Sequence, residues 1–266
     1  MLDAILGRAR VHDLGRPLVR GMPQSPNHPP FQMILERRHG DRERSDGTSS
    51  ANEIIIMGGH VGTHVDALCH FSHAGRMYGG ADAGDAQRGG RFRQHGVEQL
   101  PITFGRGLLL DVVSHLGDHV TVPGYEISVS DLEISAAAAG LEICPGDVVL
   151  VRTGWGNLWD ERNSFPSVDE GMPGPGVAAI EWLCARGVSL VGSDTIAFER
   201  IAPNKGLAEL PGHRLLLVEH GIPIVESLDL EMLAADRPGP FLFVMAPLKL
   251  VGATASPVRP LAVLLD

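Results

Sequence analysis

The chain has 266 residues, a formal net charge of −10, 44% hydrophobic residues and three cysteines. That length and apolar content fill a sizeable core, and a single domain over residues 1–266 is the simplest organisation. The acidic balance excludes nucleic-acid and anionic-membrane partners, which need a basic face to meet phosphates, and leaves a small molecule as the expected partner. Cys69, Cys144 and Cys184 are scattered and odd in number, so neither a disulfide framework nor a zinc knuckle is expected. Reduced, buried thiols and a cytoplasmic location follow. Residues Met1 to Arg8 contain an early acid and too short an apolar run for a signal peptide. No stretch reaches the roughly 18 apolar residues of a membrane helix.

In chain order, Met22 to Pro30 reads as a rigid extended loop, because its prolines fix φ and bias their predecessors away from helix. Arg37 to Ser50 is polar and reads as a surface turn. The β-branched run Glu53 to Met57 predicts a buried strand that delivers the following segment at its end.

That segment holds the densest chemistry in the chain. His60, His64, Asp66 and His70 fall within eleven residues, where twelve histidines in 266 residues predict roughly 0.5 of a histidine. His60, His64 and Asp66 lie at even offsets, so an extended segment points all three to one side. Gly62 and the β-branched Thr63 and Val65 disfavour a helix. Imidazole nitrogens with a carboxylate oxygen suit zinc or manganese, and three protein ligands leave a coordination position open, as catalysis requires. A closed stabilising site or hydrogen-bonded core histidines would use the same residue types. A closed site more often recruits cysteine, and Cys69 sits at an odd offset.

Downstream, Gly107 to Val113 predicts a second buried strand. Ser130 to Gly140 predicts a helix, with Ser130 as cap, Glu133 completing a capping box and Gly140 as its end. The turn Cys144-Pro145-Gly146-Asp147 leads into a strand over Val148 to Thr153. A helix from Gly176 to Arg186, stopped by Gly187, precedes a strand over Val188 to Val191. Another from His213 to Glu219, stopped by Gly221, precedes a strand over Ile222 to Val225. Strands over Phe241 to Met245 and Pro260 to Leu265 follow without a strong helix between them. Short helices alternating with short buried strands indicate α/β layering, and the last strands make the sheet mixed.

Other motif-like strings carry less. Gly171 to Gly176 lacks the preceding strand of a phosphate-binding loop and reads as a turn into a helix. Gly192-Ser193-Asp194 is not a nucleophile elbow. His220 fits a helix C-terminus, where a cation meets the dipole favourably. His73, His95, His115 and His119 read as surface or loop residues.

The string His60-Val61-Gly62-Thr63-His64-Val65-Asp66-Ala67-Leu68-Cys69-His70 closely resembles the motif of the metal-dependent cyclase-like hydrolases, a family that holds bacterial kynurenine formamidases, isatin hydrolases and a γ-lactamase. The resemblance extends to Asp13 to Leu18, to Gly146 to Trp155, to Pro247 to Leu250 and to Ser256 to Arg259. One departure is Leu68, where many members carry proline. With the Phe71 to Gly80 segment it resembles the longer, γ-lactamase-like branch and leaves the substrate open.

The family implies a swivelling β/β/α architecture around a flattened, barrel-like mixed sheet with flanking helices. It implies that His213 and Glu226 complete a second metal site with Asp66 bridging, so one or two ions bind per chain. On pattern alone His213 would be a helix-start surface residue and Glu226 an ordinary strand-end charge. His70 sits where the family carries its catalytic acid/base, and an imidazole with an unperturbed pKa near 6.5 can take and return a proton. A third imidazole ligand is the alternative for His70. The family places aromatic and apolar substrate contacts near Trp155 and the Met22 to His28 loop, positions that packing alone would also explain. The activity expected is metal-dependent hydrolysis of a small amide, a lactam or an N-formyl-arylamine, with water activated by the metal. The rivals are hydrolysis of a cyclic ester and a metal-loaded binding protein without turnover; the latter has no need of His70. Family habit implies a homo-oligomer.

Overall fold

The computed structural model describes residues 7–159 and 167–265. Most of the Met1 to Arg8 segment, and the side chain of His119, lie outside the described residues. The strands in chain order are β1 (Ala9–Asp13), β2 (Gln32–Arg37), β3 (Asn52–Ile56), β4 (His64–Asp66), β5 (Thr103–Asp111), β6 (Glu126–Ile127) and β7 (Val148–Arg152). They continue as β8 (Gly174–Pro175), β9 (Leu190–Ser193), β10 (Ile224–Glu226), β11 (Phe241–Met245), β12 (Ala255–Pro257) and β13 (Leu261–Leu265). The helices that cover the sheet are α1 (Val129–Ala138), α2 (Val177–Ala185) and α3 (Pro211–His213), which continues as a π-helix over Arg214–His220.

Nine strands form one curled mixed sheet in the order β1-β13-β11-β5-β7-β9-β10-β4-β12. Its centre, β5 through β10, is parallel and both flanks are antiparallel. Parallel strands are covered on both faces, and alternation along β7 shows how. Val149 and Val151 pack beneath Leu132 of α1, Leu183 of α2 and Leu216 of the π-helix. Val148 and Leu150 face the opposite core, with Phe243 of β11 and Ala262 of β13. The architecture is therefore the expected mixed α/β half-barrel with flanking helices.

Local expectations hold with shifts that have identifiable causes. Helix α1 is capped by Ser128, not Ser130: its Oγ accepts from Asp131 N at 3.2 Å while Asp131 Oδ2 accepts from Ser128 N at 2.8 Å. Two overlapping Ser-x-x-acid pairs fit the pattern, and the first closes the box because β6 ends at Ile127, one residue before it. Gly140 takes φ +64° at the helix end, as expected of a left-handed stop. Strand β9 starts at Leu190 because the residues before it are held by the preceding turn, with Gly146 N bonded to Gly187 O and Ser189 N to Asp147 O, each at 2.8 Å. Pro211 begins α3 earlier than expected, at the position where its missing N–H is harmless.

The clearest correction concerns β3. The run exists, but it pairs only with β2 in a separate two-stranded ribbon, and every residue from Asn52 to Ile56 is exposed. Apolar, β-branched composition reads the same whether a strand is buried in its own chain or lies open, so composition alone does not set its burial. Cys144 is half-buried, whereas Cys69 and Cys184 are buried, and all three are free thiols. No helix among the described residues is long and apolar enough to cross a membrane.

Candidate metal centre

The ligands are delivered by the ladder between β4 and β10. Their antiparallel register sets Glu226 opposite His64 and Ile224 opposite Asp66. With a side-chain period of two, His64, Asp66 and Glu226 share one face, while Val65 and Val225, both fully buried, anchor the other in the core. Directly after Glu226 the chain turns sharply at Ser227, a non-glycine residue with φ +57°. That conformation is held by Ser227 N bonding to Thr195 O at 2.8 Å and by Thr63 Oγ1 donating to Ser227 O at 2.7 Å.

His60 comes from the tight turn before β4 rather than from the strand. Gly62 makes that turn possible: its φ is +69°, and a Cβ there would collide with Leu18. His70 lies in the single 3-10 turn Leu68–His70 that follows β4. His213 enters from the opposite side, on the first turn of α3.

Three of the four imidazoles, His64, His60 and His213, have the outer nitrogen occupied. His64 Nδ1 is 2.8 Å from Gly62 O, His60 Nε2 is 2.9 Å from Thr254 Oγ1, and His213 Nδ1 is 2.7 Å from Glu199 Oε1. A carbonyl and a carboxylate only accept, so Nδ1 of His64 and of His213 donates. Nε2 is then the atom of each that faces inward.

Inward, they meet two carboxylates that each face both ways. His64 Nε2 stands 3.5 Å from Asp66 Oδ1 and 3.3 Å from Glu226 Oε2. His213 Nε2 stands 3.6 Å from Asp66 Oδ2 and 3.4 Å from Glu226 Oε1. Two donors bound to one tetrahedral ion at about 2.0–2.1 Å are themselves roughly 3.3–3.4 Å apart. These spacings are therefore those of ligands around an ion, and too long for good direct hydrogen bonds. His60 Nδ1 approaches Asp66 Oδ1 to 2.7 Å, and His70 Nε2 lies 3.9 Å from Asp66 Oδ2.

Burial sharpens the argument. Both Asp66 oxygens, Glu226 Oε1 and His64 Nε2 are buried and make no hydrogen bond of acceptable geometry. Leaving such groups unsatisfied costs several kcal/mol each, about 2–7 for a neutral polar group and more for a charge. A shared cation removes that cost for all of them. The ligand atoms of His60, His64 and Asp66 lie within 4.8 Å of one another, as do those of Asp66, His70 and His213. The donor set suits a divalent metal.

The electrostatics run the same way. Burial opposes charge on His64, but the Asp66 and Glu226 carboxylates outweigh it and lift its pKa to about 10. His213 is raised well above the ordinary imidazole value, against burial, by Asp66, Glu199 and Glu226. Asp66 is held well below the usual carboxylate range despite its burial, by the imidazoles of His70, His60 and His213 that surround it. His70 differs: burial dominates and pushes it down to about 3, so it is neutral near pH 7.

These groups floor a cavity of about 220 Å³. One wall is polar, from Gln24, Ser25, Asn27 and His28, and the other is built by Phe71, Ile196, Leu207 and Leu210. His28 stacks on His60 with ring centroids 4.8 Å apart. The proline-rich loop thus lines the pocket, as the family implied. Trp155 does not: it is 1% exposed and packs in the core against Met22 and Val61. Asp194 explains why, since its carboxylate accepts from Thr153 N, Thr153 Oγ1, Gly154 N and Gly156 N and pins the Trp155 segment inside.

All six residues singled out from the sequence, His60, His64, Asp66, His70, His213 and Glu226, therefore converge on one cavity. Glu199 and Thr254 escaped the sequence reading. Neither stands in a motif, and only the fold brings them to the backs of His213 and His60.

A mixed α/β half-barrel with a buried histidine–carboxylate cluster on one ladder defines a class of metal-binding α/β proteins. Within it, a family profile described as "Putative cyclase" matches residues 12–200, and the chain belongs to that family. Isatin hydrolase of Roseibium aggregatum is 27% identical over 223 residues, covering 82% of this chain and 76% of its own length. A crystal structure of a novel cyclase superposes with a TM-score of 0.85 at 27% identity, over 98% of this chain and 93% of that one. A potential metal-dependent hydrolase with cyclase activity superposes with a TM-score of 0.61 at 25% identity, over 96% and 98%.

Proposed function

We propose that this chain is a metal-dependent hydrolase of a small amide, either a lactam or an N-formyl group on an arylamine. The observation that carries the reading is the convergence of buried, unpartnered donors from His64, Asp66 and Glu226, with His60 and His213 beside them, on the floor of a 220 Å³ cavity. The isatin hydrolase relative supports an amide, because isatin is a bicyclic aromatic lactam. The apolar wall of Phe71, Ile196, Leu207 and Leu210 suits such a flat ring.

In this reading His60, His64 and Asp66 would hold one zinc or manganese ion, and His213 and Glu226 would hold a second together with Asp66. When bound, the metal supplies Lewis acidity toward the amide carbonyl and lowers the pKa of water to about 7. His70, neutral and at the cavity edge, accepts the proton from the attacking water and returns it to the leaving nitrogen. Ser25, Asn27 and His28 face the open side and offer hydrogen bonds to the substrate's polar groups. A second reading of His70, as an imidazole ligand, is favoured by the grouping of its ligand atom with those of Asp66 and His213. The continuous sheet from β1 to β13 supports one functional unit over residues 1–266, and the free thiols support a cytoplasmic location.

The partner that the surface suits is a second copy of the chain. Met33, Ile34 and Leu35 on β2 and Ile54, Ile55 and Ile56 on β3 are each about half exposed. By register Met33, Leu35 and Ile55 lie on one face of the ribbon and Ile34, Ile54 and Ile56 on the other, so each face carries an apolar patch of the kind an interface covers. A shallow groove lined by Ile55, Met57, Leu248 and Leu250 continues from the face that carries Ile55. A homo-oligomer built on these ribbons is the consequence.

Turnover on a panel of lactams, N-formyl-arylamines and lactones, with and without a chelator, tests the activity. Chelator-sensitive amide turnover is the expected result. Lactone turnover alone, or tight binding without turnover, would replace it.

A further inference from the structure

Glu199 is 2% exposed, carries a carboxylate, and belongs neither to the motif nor to the cavity lining. Its placement is costly. The preceding residue, Phe198, is a fully buried non-glycine residue with φ +49°, in the left-handed region where a bulky side chain is strained. Such strain persists only where the surroundings over-determine it. Gly212 is part of those surroundings: a Cβ there would fall 2.5 Å from Ile180 Cδ1 and 2.8 Å from the Glu199 carboxylate, so glycine leaves room for both.

The carboxylate makes three hydrogen bonds. Glu199 Oε2 accepts from Gly212 N, and Oε1 accepts from both His213 N and His213 Nδ1, all at 2.7 Å. The two amide bonds cap the start of α3 and would satisfy a purely structural carboxylate. The third has a different consequence. With Nδ1–H committed to a charged acceptor, His213 is held in one ring orientation, and Nε2 is left as the inward atom, 3.4 Å from Glu226 Oε1 and 3.6 Å from Asp66 Oδ2. The imidazoles of His64 and His60 rest on neutral oxygens, Gly62 O and Thr254 Oγ1. A carboxylate behind a ligating imidazole makes it a stronger donor than a neutral acceptor does.

We propose that Glu199 is a positioning residue for the second cation: it orients His213 and strengthens its Nε2 as a ligand, while the ion held by His60, His64 and Asp66 does not depend on it. This rests on the two-ion reading above. It goes beyond that reading by assigning the asymmetry between the two ions to a residue outside both ligand sets.

The test uses the full chain and two readouts, neither of them activity. The first is the downfield, slowly exchanging ring N–H proton of His213 in the NMR spectrum of metal-free and zinc-loaded protein. The second is a titration of metal-free protein with zinc chloride. In Glu199→Gln the ring proton should move upfield or vanish, and zinc affinity at one of the two sites should fall about 10–100-fold while the other changes less than about twofold. Gly212→Ala, whose methyl crowds the Glu199 carboxylate as well as Ile180, should move both readouts the same way and serves if Glu199→Gln does not fold. An unchanged ring proton, or an equal loss at both sites, overturns the proposal. If wild type binds a single zinc, the two-ion reading fails on its own, and the ring proton of the metal-free protein still decides whether Glu199 holds His213.

Discussion

Two short β-structures in this chain invert the usual rule of burial. The β2–β3 ribbon exposes six large apolar side chains, each about half open. The β4–β10 ladder buries two carboxylates and an imidazole, with Asp66 0%, His64 3% and Glu226 4% exposed. Both arrangements are unfavourable for an isolated chain: one leaves apolar surface in water, and the other takes charge out of it. Each implies a missing partner of matching chemistry, an apolar surface for the ribbon and a cation for the ladder. The comparison shows that misplaced polarity locates function where fold-level packing is silent.

The largest effect expected from breaking the ladder is in His64→Ala. Removing an imidazole from the His60, His64, Asp66 anchor should abolish turnover and reduce metal content, with a loss exceeding the roughly 10–100-fold of a residue that merely supports a ligand. Full occupancy by elemental analysis in this variant would remove His64 from the ligand set. His70→Ala should keep its metal while turnover falls about 10²–10⁴-fold, the usual contribution of an acid/base group. Loss of metal together with rate would establish the ligand reading of His70 instead.

The ladder's charges also set a pH dependence. In the metal-free chain the His64 pKa is raised from 6.5 to about 10, so that proton stabilises the fold fully below about pH 6.5, and the contribution is lost as pH rises through about 10. Asp66 and Glu226 are lowered, so their contribution is present above the ordinary carboxylate values and is lost as pH falls. A cation must displace the imidazole protons. Its affinity should therefore climb about tenfold per pH unit for each proton displaced between about pH 7 and about pH 9. Competition titration against a chelator of known pH dependence measures this slope, and a flat profile would contradict the protonated cluster.

The smallest effect on the single chain, and the sharpest on its assembly, is expected at the ribbon. Ile55→Lys alters an exposed position, so unfolding stability should shift by no more than about 0.5 kcal/mol, yet sedimentation should show the oligomer dissociating. An unchanged oligomer would place the interface elsewhere.

Legibility in the sequence divided along the same line. The ladder's residues could be read because ligand chemistry constrains residue type and spacing, so His60, His64, Asp66 and His70 stood out in one local string. His213 and Glu226 were legible only through family resemblance, because nothing local distinguishes a ligating histidine at a helix start from a solvated one. Strand and helix positions followed from turn residues such as Gly140, Gly187 and Gly221, with boundaries displaced wherever tertiary register overrode them, as at β9. Burial of β3 was misjudged, since its Ile54-Ile55-Ile56 run is identical on either side of an interface. Glu199 was invisible because its strained backbone and three hydrogen bonds exist only in the folded chain.

The central proposal is that Asp66 serves two cations, one held with His60 and His64 and a second held with His213 and Glu226. The most direct measurement is the number of zinc or manganese ions bound by metal-free protein, wild type against Glu226→Gln, by calorimetric titration with elemental analysis. Wild type should bind two ions, and the variant should fall towards one, because a neutral amide replaces the carboxylate beside His213 while His60, His64 and Asp66 still hold the first. Identical stoichiometry and affinity in the two proteins would remove Glu226 from the site and contradict the account.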